Sequence, residues 1–182
     1  CRNCTLDKEA LQHPKMGATG AARPVFYVLG EAPGKQEDES GKQFVGKTGR
    51  HLKDTVSDLG VDLHRDCWLT NSIICRPSGN KLPKRAVDHC RPNLIKTVQE
   101  LKPETIILLG GAAVKSLIGW LWREDTRGVN RWVGFRIPCP RLNAWICPAW
   151  HPSYVVREEP GAKGRQEVKE LLWKRQLKAA FS

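Results

Sequence analysis

The stretch from residue 30 to residue 49, GEAPGKQEDESGKQFVGKTG, constrains the fold of this 182-residue chain more than any other part. An apolar run at 25–29 precedes it and predicts a buried strand, and an amphipathic run at 50–59 follows it and predicts a helix. A loop between a strand and a helix lies at the carboxyl end of that strand, where open α/β sheets bind their ligands. Its five glycines let the backbone bend sharply and approach a ligand closely. The stretch therefore predicts an α/β fold with a ligand site in this loop.

Acidic residues and one aromatic residue indicate what this loop binds. The acids are Glu31, Glu37, Asp38 and Glu39, and the aromatic residue is Phe44. Carboxylates repel phosphate, so the loop is poorly suited to the phosphates of a nucleotide. The composition favours a neutral, flat ligand that is held by polar edges and an aromatic face.

Strand and helix signals alternate along the rest of the chain. Further strands are predicted at 67–71, 105–109, 134–137 and 144–147. Helices are predicted at 83–101 with a break at Pro92, at 111–118 and at 165–181, whereas 5–23 and 120–133 are predicted to be irregular. The alternation predicts a three-layer α/β/α sandwich with a mostly parallel sheet, formed by residues 1–182 as a single domain.

The net charge of the chain indicates which class of partner the protein binds. Lysine and arginine number 30 against 19 acids, which gives a formal net charge of +11. Such an excess favours a polyanion, nucleic acid first, although simple solubility is an equally good explanation of charge alone. The chain has no apolar run long enough to span a membrane and no visible signal peptide, so we expect an intracellular protein.

The seven cysteines are an odd number, and a chain of this size does not need disulfides to fold, so ligation of a metal or cluster is favoured over a disulfide scaffold. Four of them form a plausible ligand set: Cys1, Cys4, Cys75 and Cys90. Zinc and iron–sulfur clusters use the same ligands, and buried structural thiols are the remaining alternative. The other three lie in or beside apolar strands and are predicted to be core residues: Cys67, Cys139 and Cys147.

Several motifs together resemble the family 4 uracil-DNA glycosylases, the iron–sulfur type. They are GEAPGKQED at 30–38, GKQFVGKTG at 41–49, TNSIICRPSGNKLP at 70–83 and HPSYVVR at 151–157, with CRNC at the start and Thr126-Arg127-Gly128 followed by Trp132. The motifs occur in the order of the family and cover nearly the whole chain. The resemblance implies a 4Fe-4S cluster on the four cysteines of the ligand set, excision of uracil from DNA, and a central four-stranded parallel sheet flanked by helices.

The resemblance also implies roles for three side chains that would bind uracil. Phe44 matches the aromatic residue that stacks on the flipped base, Asn71 the residue that reads its edge, and His151 the histidine that binds uracil O2. An asparagine offers a donor and an acceptor, which suits uracil O4 and N3–H. The structural alternatives are a core hydrophobe for the phenylalanine, a turn residue for the asparagine and a structural histidine.

Other motif residues are implied to line the site or contact DNA. The resemblance places Glu31, Ala32 and Pro33 in the uracil pocket, and Glu37 near the reacting bond, where it would position water or stabilise positive charge on the sugar. Glu31, Glu37 and His151 are the candidate catalytic residues, with no single general base assigned. The DNA-facing loop would carry Tyr154, Val156 and Arg157.

The predicted function is that of a monofunctional uracil-DNA glycosylase, which leaves an abasic site during base excision repair and has no lyase step. We expect a monomer that acts on single- or double-stranded DNA in the cytoplasm or at the nucleoid. The main alternative is a DNA-binding module that keeps the fold and the cluster without excising uracil, and a more remote one is a zinc-bound nucleic-acid-binding protein.

Overall fold

Six strands form one sheet in the computed structural model, which describes residues 4–9, 11–83, 85–123, 126–157 and 163–182, with Asn80 and Lys163 described by their backbone alone. The strands are β1 (Thr19–Gly20), β2 (Phe26–Gly30), β3 (Cys67–Asn71), β4 (Thr105–Leu109), β5 (Ile137–Cys139) and β6 (Ala144–Ala149). The helices are α1 (Lys35–Ser40), α2 (Lys47–Ser57), α3 (Leu63–Asp66), α4 (Ala86–Leu101), α5 (Gly111–Trp122), α6 (Pro152–Val155) and α7 (Lys163–Ala180). Short 3-10 turns occur at Leu6–Lys8, Ser78–Asn80 and Val129–Arg131.

The sheet has the order β1-β3-β2-β4-β6-β5. Its four inner strands run parallel, and β1 and β5 pair antiparallel at the two edges. The predicted α/β fold with a four-stranded parallel centre is therefore confirmed, and the full sheet is mixed because of the two edge strands. The prediction of an irregular segment at 5–23 misses β1, and the strand predicted at 134–137 is instead Ile137–Cys139.

Alternating side chains of the inner strands fill two cores, as the two-residue period of a strand requires. Tyr27 and Leu29 of β2 face the side covered by α4 and α5, whereas Val28 faces the side covered by α2 and α7. The buried Trp173 of α7 packs in the second core and donates from Nε1 to the carbonyl of Trp150 at 3.0 Å. Helices on both faces of the sheet give the predicted three layers.

The break predicted at Pro92 is wrong, because α4 continues through this residue. A proline inside a helix removes one backbone hydrogen bond and crowds the preceding turn. Here the helix is buried on both sides of the proline, with Val87 and Cys90 before it and Leu94 and Val98 after it. Tertiary packing on each side therefore outweighs the local cost.

The loop between β2 and α2 is more regular than the sequence predicts, because it contains α1. Two of its acids are buried and order it from within. Glu37 Oε1 accepts from the backbone N–H of Gly46 at 2.7 Å, and the Asp38 carboxylate accepts from the backbone N–H of His13 at 3.0 Å. These carboxylates therefore bind backbone donors, a role that the composition of the loop does not reveal.

Among the helices of the described residues, none is both long enough and apolar enough to cross a membrane.

Candidate active site

A cavity of about 390 Å³ lies at the carboxyl ends of the inner strands. Glu31 directly follows β2, Asn71 ends β3, and His151 comes two residues after β6. The cavity is lined by Glu31, Ala32, Pro33, Gly34, Glu37, Phe44, Thr48, Asn71, Pro77, His151, Pro152, Ser153 and Arg157. Larger cavities, of about 500, 590 and 410 Å³, lie at the amino ends of the strands, along α4, and between α4 and α5. We take the smaller cavity as the site because parallel sheets bind ligands at their carboxyl edge.

The structure brings all the predicted uracil-binding residues together, since each of them lines this one cavity. Arg157 also reaches it from the segment after α6, whereas Tyr154 and Val156 do not line it. Tyr154 is exposed, meets Trp150 edge to face and lies under the ammonium group of Lys169. The roles of these residues in binding uracil and DNA stay predictions.

His151 is the N-cap of α6, and this position fixes its tautomer. Its Nδ1 accepts a hydrogen bond from the backbone N–H of Ser153 at 3.2 Å and lies 2.7 Å from the Ser153 hydroxyl oxygen. Because an accepting nitrogen carries no proton, the neutral ring holds its proton on Nε2. Burial lowers the pKa of His151 to about 4, so the ring is neutral at neutral pH. The site thus contains an uncharged N–H donor.

Gly110 lies against His151 and, because it has no side chain, leaves room for the histidine. A Cβ at this glycine would lie 2.9 Å from the Cβ of His151, closer than side chains approach. The backbone of Gly110 also has a φ of +89°, which glycine adopts without strain.

Asn71 and Phe44 both line the cavity, and both lie close to Gly30. Asn71 is 7% exposed, and its Nδ2 donates to Gln43 Oε1 at 2.6 Å. A Cβ at Gly30 would overlap Asn71 Oδ1 and would lie 2.9 Å from Phe44 Cζ, so only glycine fits between the two side chains. Phe44 is buried against the core below α2 and also lines the cavity, so it is both a core residue and a wall of the site.

The backbone of Phe44 is held in an unusual conformation. Its φ is 55°, in the left-handed region that is costly for a side chain of this size. Gly49 packs directly on it, because a Cβ there would overlap the carbonyl group of Phe44. A strained backbone of this kind persists where the surrounding residues fix its conformation. Here the conformation directs the aromatic ring of Phe44 toward the cavity.

The two candidate catalytic acids occupy different environments. Glu31 is half-buried, and burial raises the pKa of its carboxyl group. Glu37 uses Oε1 to bind the backbone of Gly46, and a Cβ at Gly34 would lie 2.6 Å from its Oε2. Oε1 of Glu37 is therefore hydrogen-bonded to the loop, and its Oε2 lies so close to Gly34 that a larger residue there would crowd it.

Three cysteines of the predicted ligand set lie in one small cluster, and Cys1 lies outside the described residues. Cys75 and Cys90 are buried in one cluster with Leu6, and the half-buried Cys4 packs against this cluster. Burial raises the pKa of the Cys75 and Cys90 thiols, and the charge of the neighbouring Cys4 raises it further. Within the described part of the chain, no group of three or more His, Cys, Asp or Glu side chains that could hold a metal ion occurs.

Backbone groups also interact with the thiols of these clustered cysteines. The N–H of Lys15 donates to Cys75 Sγ at 3.3 Å, and the backbone of Ile74 partly offsets the rise in the pKa of the Cys90 thiol. Hydrogen bonds to sulfur are a common feature of iron–sulfur sites. The remaining cysteines are buried in the sheet, which confirms their assignment to the core: Cys67, Cys139 and Cys147.

Comparison with known proteins identifies the family. The family model described as "Uracil DNA glycosylase superfamily" matches residues 17–175. The chain belongs to the uracil DNA glycosylase superfamily. Among its relatives, the type-4 uracil-DNA glycosylase of Pyrobaculum aerophilum is 34% identical over 90% of this chain and 83% of the relative. Those of Archaeoglobus fulgidus and Saccharolobus solfataricus are 33% and 27% identical, covering 86% and 94% of this chain and 78% and 82% of the relatives.

Within this glycosylase fold, several residues in or next to the cavity escaped prediction from the sequence, among them Ser153, Thr48 and Gln43. Ser153 fixes the tautomer of His151, and the local signal that could have found this contact is Pro152, because proline is typical of the first turn of a helix. Thr48 lines the cavity from α2. Gln43 contacts Asn71 from a position 28 residues away in the chain, and its only local signal is its place next to Phe44.

Proposed function

We propose that this member of the superfamily excises uracil from DNA by hydrolysis of the N-glycosidic bond and leaves an abasic site without a lyase step. The observation that carries the proposal is that Phe44, Asn71 and the uncharged N–H donor of His151 line one cavity. A base inside a duplex cannot reach such a cavity, so the uracil has to be flipped out of the stack. Similarity to type-4 uracil-DNA glycosylases over most of the chain supports the same activity.

The base would be held on its face and on two edges. Phe44 offers an aromatic face for stacking, and Asn71 offers an acceptor and a donor for N3–H and O4 of uracil. Nε2–H of His151 would donate to uracil O2. As the glycosidic bond breaks, negative charge grows on this oxygen, so the donor stabilises the transition state more than the ground state.

His151 would act by hydrogen bonding and would keep its proton. A neutral imidazole is a very weak acid, and Nδ1 already accepts from Ser153, so the ring donates Nε2–H without transferring it. The lowered pKa means that the ring carries no positive charge that would have to be desolvated when DNA covers the cavity.

The acids would act on the sugar side of the bond. Glu37, with one oxygen bound to Gly46 N–H, is held in place to orient water or to face positive charge on the sugar. Glu31 lines the same cavity, and burial raises the pKa of its carboxyl group. Neither one is assigned as the general base.

DNA is the proposed partner, and the +11 charge supports it. Arg157 at the cavity and the exposed Tyr154 are proposed to contact the strand around the flipped base, together with Val156. The enzyme is proposed to act as an intracellular monomer on single- or double-stranded DNA.

The cofactor is proposed to be a 4Fe-4S cluster held by Cys4, Cys75 and Cys90, with Cys1 as the fourth ligand. The clustering of the described thiols and the backbone N–H that donates to Cys75 support such a group, although the described side chains alone form no metal-binding set. When bound, it would supply a structural link between the N-terminal segment and the segment after β3. It is assigned no step in the excision reaction.

This cofactor proposal predicts brown protein with iron and sulfide in similar amounts. Cys90→Ser should lower the yield of folded protein and the iron content, because it removes one ligand of the link. The matched control is Cys139→Ser, which alters a buried thiol of the sheet edge and should leave the iron content unchanged. Colourless protein with stoichiometric zinc would contradict the proposal.

The proposed activity is tested by one incubation with a uracil-containing oligonucleotide, followed by alkali, which cleaves abasic sites. We expect far more cleavage at the uracil position than in matched oligonucleotides with thymine or cytosine there. Protein that binds both DNAs but yields no cleavage would favour the alternative of a binding module without catalysis.

A further inference from the structure

Gln43 is completely buried next to Phe44, and both ends of its amide are hydrogen-bonded. Its Nε2 donates to the backbone carbonyl of Gly17 at 2.9 Å, and its Oε1 accepts from Asn71 Nδ2 at 2.6 Å. Gln43 does not line the cavity itself. Its side chain therefore links the main chain before β1 to the residue that ends β3.

The chemistry of the partners fixes the orientation of both amides. A backbone carbonyl only accepts, so Gln43 must turn Nε2 toward Gly17, which leaves Oε1 for Asn71. Asn71 must in turn offer Nδ2, because its Oδ1 in that place would face a second acceptor. The Gly17 carbonyl is held in place, since two residues later the chain pairs with β3 through Thr19 and Leu69.

The orientation of Asn71 decides which base it reads. With Oδ1 accepting and Nδ2 donating, the amide matches N3–H and O4 of uracil. Rotated by half a turn, the same side chain matches N3 and the amino group of cytosine. Asparagine alone has no preference between the two orientations, so the discrimination must come from whatever holds the amide.

The remaining hydrogen-bonding capacity of Asn71 is open to a ligand. One N–H of Nδ2 is used by Gln43, and among the described residues no donor hydrogen-bonds to Asn71 Oδ1. This oxygen is also not one of the fully buried atoms that lack a partner, which fits its place at the cavity. The second N–H and the oxygen thus form the edge that a base would meet.

We propose that Gln43 sets the base specificity of the site by holding Asn71 in the orientation that reads uracil and rejects cytosine. The inference rests on the proposed uracil excision and deepens it. Gln43 is a positioning residue, since it acts through Asn71.

The first test is Gln43→Met, which keeps the length of the side chain and removes both hydrogen bonds. Asn71 is then free to rotate, so the ratio of uracil to cytosine excision should fall by about tenfold or more. The measurement is single-turnover excision from single-stranded oligonucleotides that carry either base at one position, so that base pairing does not contribute.

The second test is Gln43→Glu, which separates orientation from packing. A protonated carboxyl group repeats the pattern of the amide, with its O–H donating to Gly17 and its carbonyl accepting from Asn71. An ionised carboxylate cannot donate and faces the Gly17 carbonyl. Uracil excision by this variant, divided by that of the parent, should therefore rise as the pH is lowered. Because this variant regains both bonds at low pH, it also decides the matter if Gln43→Met does not fold.

Thr19→Val is the matched control. Thr19 Oγ1 accepts from the backbone N–H of Gln43 at 3.4 Å, so the variant alters the anchoring of the same loop and leaves the amides untouched. It should keep the base ratio and the pH profile of the parent. The inference is overturned if Gln43→Met keeps the parent's base ratio, if Gln43→Glu keeps its pH profile, or if Thr19→Val loses discrimination equally. A parent protein that excises no uracil in this assay would instead refute the proposed function.

Discussion

His151→Ala should slow uracil excision by about 10²–10³-fold while uracil-DNA binding stays close to that of the parent. The reason is that Nε2–H meets an oxygen whose charge grows only as the bond breaks, so its loss raises the barrier more than it weakens the complex. Single-turnover excision gives the first quantity, and filter binding of uracil-containing DNA gives the second.

His64→Ala, on α3, is the matched control for removing an imidazole, since His64 does not line the cavity. It should excise uracil at the parent rate. If His151→Ala loses binding as completely as excision, the histidine is a ground-state or structural contact and the transition-state role is wrong.

The lowered pKa of His151 also predicts how the contribution of this residue to excision depends on pH. An ordinary histidine gains its proton below about pH 6.5, whereas this ring stays neutral down to about pH 4. The ratio of parent to His151→Ala excision should therefore stay constant from about pH 8 to about pH 5. A ratio that changes around the ordinary histidine pKa would show that the protonated ring takes part.

The position of the site could be predicted from the sequence because parallel strands bring their carboxyl ends together. Glu31, Asn71 and His151 are far apart in the chain, yet each was predicted at or just after the end of a strand, and the three line one cavity. The resemblance of the motifs added the chemistry that spacing alone could not supply.

The details that set reactivity could not be predicted in this way. The tautomer of His151 depends on the N–H of Ser153 at the start of α6, and the amide orientation of Asn71 depends on Gln43 and Gly17. The first is a local N-cap contact over two residues, whereas the hydrogen bonds that join Asn71, Gln43 and Gly17 link segments whose approach no local pattern encodes. The continuity of α4 through Pro92 has the same origin, because packing on both sides of a proline is a tertiary property.

Asn71→Asp should abolish most uracil excision, on the order of 10³-fold, because it replaces a donor with a charged acceptor at the edge of the base. The carboxylate would repel uracil O4. It would also face Gln43 Oε1, which accepts from Nδ2 at 2.6 Å in the parent, so the variant loses the contact that orients the side chain.

The same substitution changes which base fits best. A carboxylate can accept from the amino group of cytosine, so the preference for uracil over cytosine should shrink even though the unpaired charge lowers activity overall. Asn71→Ala separates the two effects: it removes the donor and acceptor without adding charge, so it should lose uracil excision with no gain for cytosine. Both variants are measured by single-turnover excision on matched uracil and cytosine oligonucleotides, with filter binding alongside. Because Asn71 is the only proposed reader of the N3–O4 edge, excision of uracil at the parent rate by either variant would mean that the base lies elsewhere.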